Sequence, residues 1–148
     1  MPPRAVDGDH AYVVEAWDRT KELARANRAF YRAFEALDIE SMLAIWDDDE
    51  SIRCVHPGAQ MLVGREQVFG SWRAIFAGQP QLSFDLTDVD LRVMGDLGWV
   101  SCEEHLRMQD AKQDPEFKAV CTNLYLLREG QWRLVLHHAS PLARRLGP

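Results

Sequence analysis

Four polar residues, His56, Glu104, Asn123 and His138, occupy positions where strands turn an apolar face inward. Apolar residues alternate around each of them. Ile52 and Cys54 lead to His56; Val100 and Cys102 lead to Glu104, with Leu106 and Met108 beyond; Cys121 precedes Asn123, with Tyr125 and Leu127 after it; Trp132, Leu134 and Leu136 lead to His138. Because successive strand side chains point to opposite faces, this parity sends all four into one greasy interior. Burying such groups is costly unless they pair with one another or meet a ligand.

The chemistry open to the set is proton transfer on a small carbonyl or hydroxy compound. An imidazole that ionises near neutrality is a competent base for an acidic α-proton, which makes His56 the candidate base. Asn123 could hold a developing enolate, and Glu104 or His138 could serve as the second acid or base. Trp46, Trp72 and Tyr125 would offer apolar surface to a ring-bearing ligand. Each residue also has a purely structural reading. His56 could bond a backbone carbonyl at the Pro57 turn, Glu104 could close a pair with His138, Asn123 could pin strand register, and Trp72 could be core. A third reading gathers His56, His138 and Glu104 around a metal, but no metal signature is present, and the neighbours His137 and His138 must face opposite ways. No metal and no cofactor is expected.

The elements that must position these residues follow from periodicity. From about Asp9 to Leu37 the pattern is helical, with Ala16, Leu23, Phe30 and Leu37 recurring every seven and Val13, Trp17, Ala24, Tyr31 and Phe34 beside them. Asp38 punctuates before a short helix, Ile39 to Trp46, and the acidic run Asp47 to Glu50 makes a turn. Ser51 to His56 reads as a strand stopped by Pro57 and Gly58, and Glu66 to Phe76 as a helix. The period then becomes two. Leu82, Phe84 and Leu86 alternate, and parity slips to Val89, Leu91 and Val93, which predicts a β-bulge near Thr87 and Asp88. Turns at 95–98, around Asp114 and Pro115, and at Glu129–Gly130 separate three more strands.

The other face of those strands carries Arg53, Glu103, His105, Arg107, Lys118, Arg128 and Arg133, interspersed with Trp99, Val120, Leu124, Leu126 and Val135. Such a mixture suits a face that is half solvated and half covered by a second subunit, so a homodimer is expected.

The 148 residues suffice for one domain with a real core, and no linker, repeat or low-complexity stretch divides them. A hydrophobic fraction of 47% and a charged fraction of 27% are those of a globular chain. With a net charge of -6, no attraction to nucleic acid or to an anionic membrane is expected. Cys54, Cys102 and Cys121 are odd in number, widely spaced and on core parity, which fits reduced thiols; with no signal-like or membrane-spanning run at the start, a cytoplasmic location is expected. Phosphate loops, the G-x-S-x-G elbow, H-E-x-x-H and C-x-x-C are missing, so nucleotide hydrolysis, serine-hydrolase and zinc-protease chemistry are disfavoured.

Several motifs carry a resemblance: Phe30-Tyr31-Arg32-Ala33-Phe34, Asp38-Ile39-Glu40-Ser41-Met42, Cys54-Val55-His56-Pro57-Gly58, Ser71-Trp72, Thr122-Asn123, and the run from Trp132 to Pro141. Together with the element order, they resemble the SnoaL-like branch of the nuclear transport factor 2-like superfamily over residues 10–142. The resemblance implies a cone-shaped α+β fold, with N-terminal helices on a curved, mostly antiparallel sheet enclosing a pocket for a small hydrophobic or aromatic metabolite. It implies isomerase, cyclase or dehydratase-type acid–base chemistry, or a non-catalytic binding or dimerisation module. By comparison with the ketosteroid isomerase pattern, His56 takes the slot of the general base and Asn123 that of a protonated Asp. Phe30 falls where the isomerase has its oxyanion-binding Tyr, while the adjacent Tyr31 joins the expected pocket wall.

Overall fold

The computed structural model describes residues 7–78, 80–108 and 117–142, with side chains from residue 19 onward. The expected turn at Asp114–Pro115 and the side chains of Val13, Ala16 and Trp17 lie outside the described residues. In chain order the elements are α1 (Asp7–Ala36), α2 (Ile39–Ile45), β1 (Arg53–Val55), β2 (Leu62–Val63), α3 (Gly64–Gly78), β3 (Leu82–Met94), β4 (Leu97–Met108), β5 (Phe117–Arg128) and β6 (Gln131–Pro141). They form the expected α+β architecture, one six-stranded sheet in the order β2-β1-β6-β5-β4-β3 with the helices packed on it. β3 to β6 are an antiparallel meander, and β1 joins it parallel to β6.

α1 ends in a tight reversal. Leu37 adopts a left-handed conformation (φ 53°), its N–H donates to Phe34 O, and the Asp38 N–H donates to Ala33 O. That pair of bonds satisfies the last carbonyls of the helix. Asp38 then caps α2 by accepting from the Ser41 N–H at 3.2 Å. The Ser41 hydroxyl, donating to Asp38 at 2.6 Å, and then this N–H hold the Asp38 carboxyl below its usual pKa. The sharp turn keeps Phe30, Tyr31 and Phe34, on the last turns of α1, over the concave face of the sheet.

Two glycines are required by geometry. Gly64 opens α3 at φ +83°, and a Cβ there would lie 2.7 Å from Glu50 Oε2, the atom that accepts from the Arg65 N–H. Gly98 lets α1 approach the sheet: a Cβ would meet Leu23 Cδ2 at 2.9 Å and Trp132 Cζ3 at 3.2 Å.

The bulge expected in β3 is present. Pairing with β4 slips between Thr87 and Asp90, and Asp88 has φ 53°. A second bulge changes the reading of β6. Leu124 pairs with Leu136, but Tyr125 pairs with Leu134, so Val135 is the extra residue. Parity from Leu136 onward is therefore inverted: Leu136, expected inward, pairs with outward Leu124, His137 is 2% exposed and faces the core, and His138 is exposed on the other side. The expectation that His138 belongs to the inward set is corrected accordingly. Met108, also expected inside, is 42% exposed at the end of β4.

Candidate functional site

The concave face meets α1 in a buried polar network centred on Asn27, an α1 residue that strand parity alone does not reveal. Asn27 Oδ1 accepts from Asn123 Nδ2 and from the Tyr125 hydroxyl, each at 2.9 Å. Asn123 Oδ1 in turn accepts from His137 Nδ1 at 2.7 Å and from the Cys121 thiol at 3.5 Å. Asn123 and Tyr125 are fully buried, and their polar groups are engaged within this network. Asn27 lies four residues after Leu23 and three before Phe30, on the same helical face, which is the signal that could have found it.

Beside the network, Glu104 projects from β4 and accepts from the Tyr31 hydroxyl at 2.5 Å. Tyr31 also lies 3.7 Å from Cys102 Sγ. Burial raises the Glu104 pKa, an effect partly offset by hydrogen bonds from Tyr31 and Cys121. Burial and the neighbouring Cys121 and Glu104 push the Tyr31 phenol well above its usual value, so the proton stays on Tyr31. His56 arrives from the end of β1 with Nε2 3.0 Å from Ser71 Oγ of α3, and burial lowers its pKa. For His137, burial lowers it to about 3, helped by the nearby His56 and His138, so this ring is neutral.

His56, Glu104 and His137 border a single cavity of about 150 Å³. Its other described walls are Phe34 of α1, Pro57, Ile75 of α3, Leu82 and Phe84 of β3, Leu106 of β4 and Phe117 of β5. The cavity is thus apolar on most sides and polar on one. Trp72 stands behind it, fully buried, with its ring 4.8 Å from His56, 5.9 Å from His137 and 5.1 Å from Phe34. Tyr31, Trp72 and Tyr125, expected in the pocket wall, do not border this cavity: Tyr31 packs on Phe84 and Trp72 on Phe34 behind it, and Tyr125 is held in the Asn27 network. The phenylalanines that do line it carry no polar mark in the sequence to separate them from ordinary core.

Trp46 is elsewhere. It borders an open groove of about 870 Å³ between α2 and the β5–β6 turn, with Asp47, Arg128 and Arg133. There Arg128 Nε pairs with Asp47 at 2.9 Å, and Arg133 donates to Ala44 O at 2.7 Å. None of the four polar residues read from the sequence reaches this groove, although it is much the larger depression.

One group of metal-type donors comes together among the described residues. A Glu104 oxygen, Cys121 Sγ and a His137 nitrogen lie within 4.8 Å of one another. His56 and His138, expected in any metal set, are not in that group. The hydrogen bond with Cys102, then burial and the nearby Glu104, drive the Cys121 thiol pKa far up, and the thiol already donates to Asn123, so the cluster is accounted for as a hydrogen-bonded core. No helix among the described residues is long and apolar enough to cross a membrane.

Comparison with known proteins agrees with this architecture. The SnoaL-like domain model matches residues 23–144. A solved structure from Streptomyces avermitilis, a candidate dehydratase of the NTF2-like family, is 32% identical with a TM-score of 0.80, covering 86% of this chain and 98% of that one. A candidate calcium/calmodulin-dependent protein kinase type II association domain from Thiobacillus denitrificans is 35% identical with a TM-score of 0.72, covering 80% of this chain and 93% of its own. The curated F-box protein SKIP8 of Arabidopsis thaliana is 22% identical over 126 residues, 85% of this chain but 52% of that protein, so the chain spans about half the length of that relative. With its helices on a six-stranded sheet and a family match over most of its length, the chain belongs to the SnoaL-like family of the NTF2-like superfamily.

Proposed function

We propose that the chain binds a ring-sized metabolite and transfers protons on it, with His56 as base and Glu104 as the partner acid. The observation that carries this reading is the cavity of about 150 Å³, apolar except where His56, Glu104 and His137 border it. An apolar cavity of about that volume accommodates a benzene-sized molecule. A lowered pKa keeps His56 unprotonated and free to accept a proton at neutral pH, and a raised one lets Glu104 keep its proton to higher pH than an ordinary carboxyl. Loss of water from a hydroxy compound needs both a base and an acid, and the Streptomyces avermitilis relative bears the name of that reaction class. Asn123 acts here by fixing His137 through the Nδ1 bond.

The test is solvent-deuterium incorporation into ring-sized ketones and loss of water from hydroxy ketones, followed by NMR. Wild type should catalyse at least one of these, and His56→Ala should abolish it while melting within a few degrees of wild type. Equal rates in wild type and variant would sink the catalytic role.

A second reading, a non-catalytic association module, is favoured by the 35% identical relative named as an association domain. On either reading, two copies would pair through the outer sheet face, where Val120 is 43% exposed beside the half-buried Trp99, Leu124, Leu126 and Val135. Light scattering on wild type and Val120→Glu checks this; a monomeric wild type would exclude it.

A further inference from the structure

The residues behind the cavity fix which nitrogen of each imidazole carries the proton. Ser71 has one hydroxyl proton, which it donates to Val68 O at 2.7 Å. We therefore assign the ring as donor in the 3.0 Å contact between Ser71 Oγ and His56 Nε2, a nitrogen that also lies 3.6 Å from Cys54 Sγ. Asn123 Oδ1 accepts only, so the 2.7 Å contact with His137 Nδ1 is likewise donated by that ring. A neutral imidazole has a single N–H, which leaves lone pairs on His56 Nδ1 and His137 Nε2.

Both residues border the cavity, and we infer that these lone pairs face it. The sealed side-chain nitrogens and oxygens without a partner, among the described residues, are Trp46 Nε1 and Trp72 Nε1. His137 Nε2 is not sealed, even though the residue is only 2% exposed, and the cavity is the space its ring borders. The His56 ring borders the same space, 6.3 Å from His137 between centroids. The polar wall therefore offers two fixed acceptors and one carboxyl, Glu104, that can accept or donate according to its protonation.

We propose that this cavity selects a neutral, ring-sized compound bearing two hydroxyl donors, a dihydroxybenzene or a cyclic diol, over a ketone or a carboxylate of the same size. The inference rests on the cavity being a ligand site, as proposed above, and it chooses hydroxy over carbonyl compounds. A ketone brings only an acceptor and leaves both imidazole lone pairs without a donor. A carboxylate brings a bare negative charge into apolar surroundings, facing two imidazole acceptors that cannot donate to it, and repels Glu104 whenever that carboxyl is ionised. Sites built around hydrogen bonds reject analogues that lack the matching group far more strongly than apolar pockets reject a methylene.

Calorimetric titration at pH 8 with catechol, cis-cyclohexane-1,2-diol, cyclohexanone, benzoate and toluene tests it. The two diols should bind tighter than cyclohexanone and benzoate by about tenfold or more, and His56→Phe should erase most of that preference. If cyclohexanone or benzoate binds as well as the diols while toluene also binds, the selectivity is wrong and the ligand cavity stands. If nothing binds, toluene included, both fail. Nitrogen-15 spectra of the histidine side chains decide independently of any variant's folding. Protons on His56 Nε2 and His137 Nδ1 support the inference, and the opposite tautomer at either ring overturns it.

Discussion

Two groups of buried polar residues lie side by side on the concave face, and they are held in opposite ways. Around Asn27, the polar groups of Asn123 and Tyr125 are spent on one another. Around the cavity, His56, Glu104 and His137 each have a hydrogen-bonded side-chain atom and also border open space. His137 belongs to both groups. Polar residues sharing one strand parity therefore need not share one role, since a supporting layer can hold a presenting layer in place.

The hardest way to break this division is Asn123→Leu. It strands the His137 Nδ1–H in a dry interior and should cost about 2–4 kcal/mol in chemical denaturation. If ligand affinity survived that change, Asn123 would not be positioning His137.

Acid should destabilise the fold through His137. The folded pKa of His137, about 3, lies below the ordinary histidine value of 6.5. Its neutral form is therefore compatible with the fold above pH 6.5, and stability is lost as pH falls from there toward about 3. This one group contributes a slope of about 1.4 kcal/mol per pH unit within that window. Melting curves from pH 7 to pH 4 should show the fall, and His137→Phe should flatten it whatever its own stability.

The smallest effect belongs to Glu104→Gln. The carboxyl's raised pKa means that its ionisation opposes folding, with stability lost as pH rises from the unfolded value through the folded one. The amide should give a slightly higher Tm at pH 8 and no change at pH 3. A lower Tm at pH 8 would show that the bond from Tyr31 needs the charge.

Much of the fold could be read from the chain because its signals were redundant. The heptad from Leu23 to Leu37, the period-two strands and the Gly-marked turns all agree with the observed elements. The bulge in β3 was legible because Asp88 breaks an apolar alternation with a charge. The bulge in β6 was not, because Leu134, Val135 and Leu136 are all aliphatic and a slip among them leaves no mark. That silence put His138 in the place of His137. The division of aromatics was hidden for a similar reason: whether Phe84 or Trp72 meets empty space depends on how α1 and α3 lean on the sheet, not on either residue's parity.

The bulge at Val135 has one further consequence. Deleting a single residue there would restore strict alternation and carry position 138 inward in place of 137. Because both positions hold histidine, the strand would still offer an imidazole to the interior. The doublet makes β6 tolerant of its own irregularity: insertion and deletion, which ordinarily erase an inward functional group, here exchange one copy of it for another.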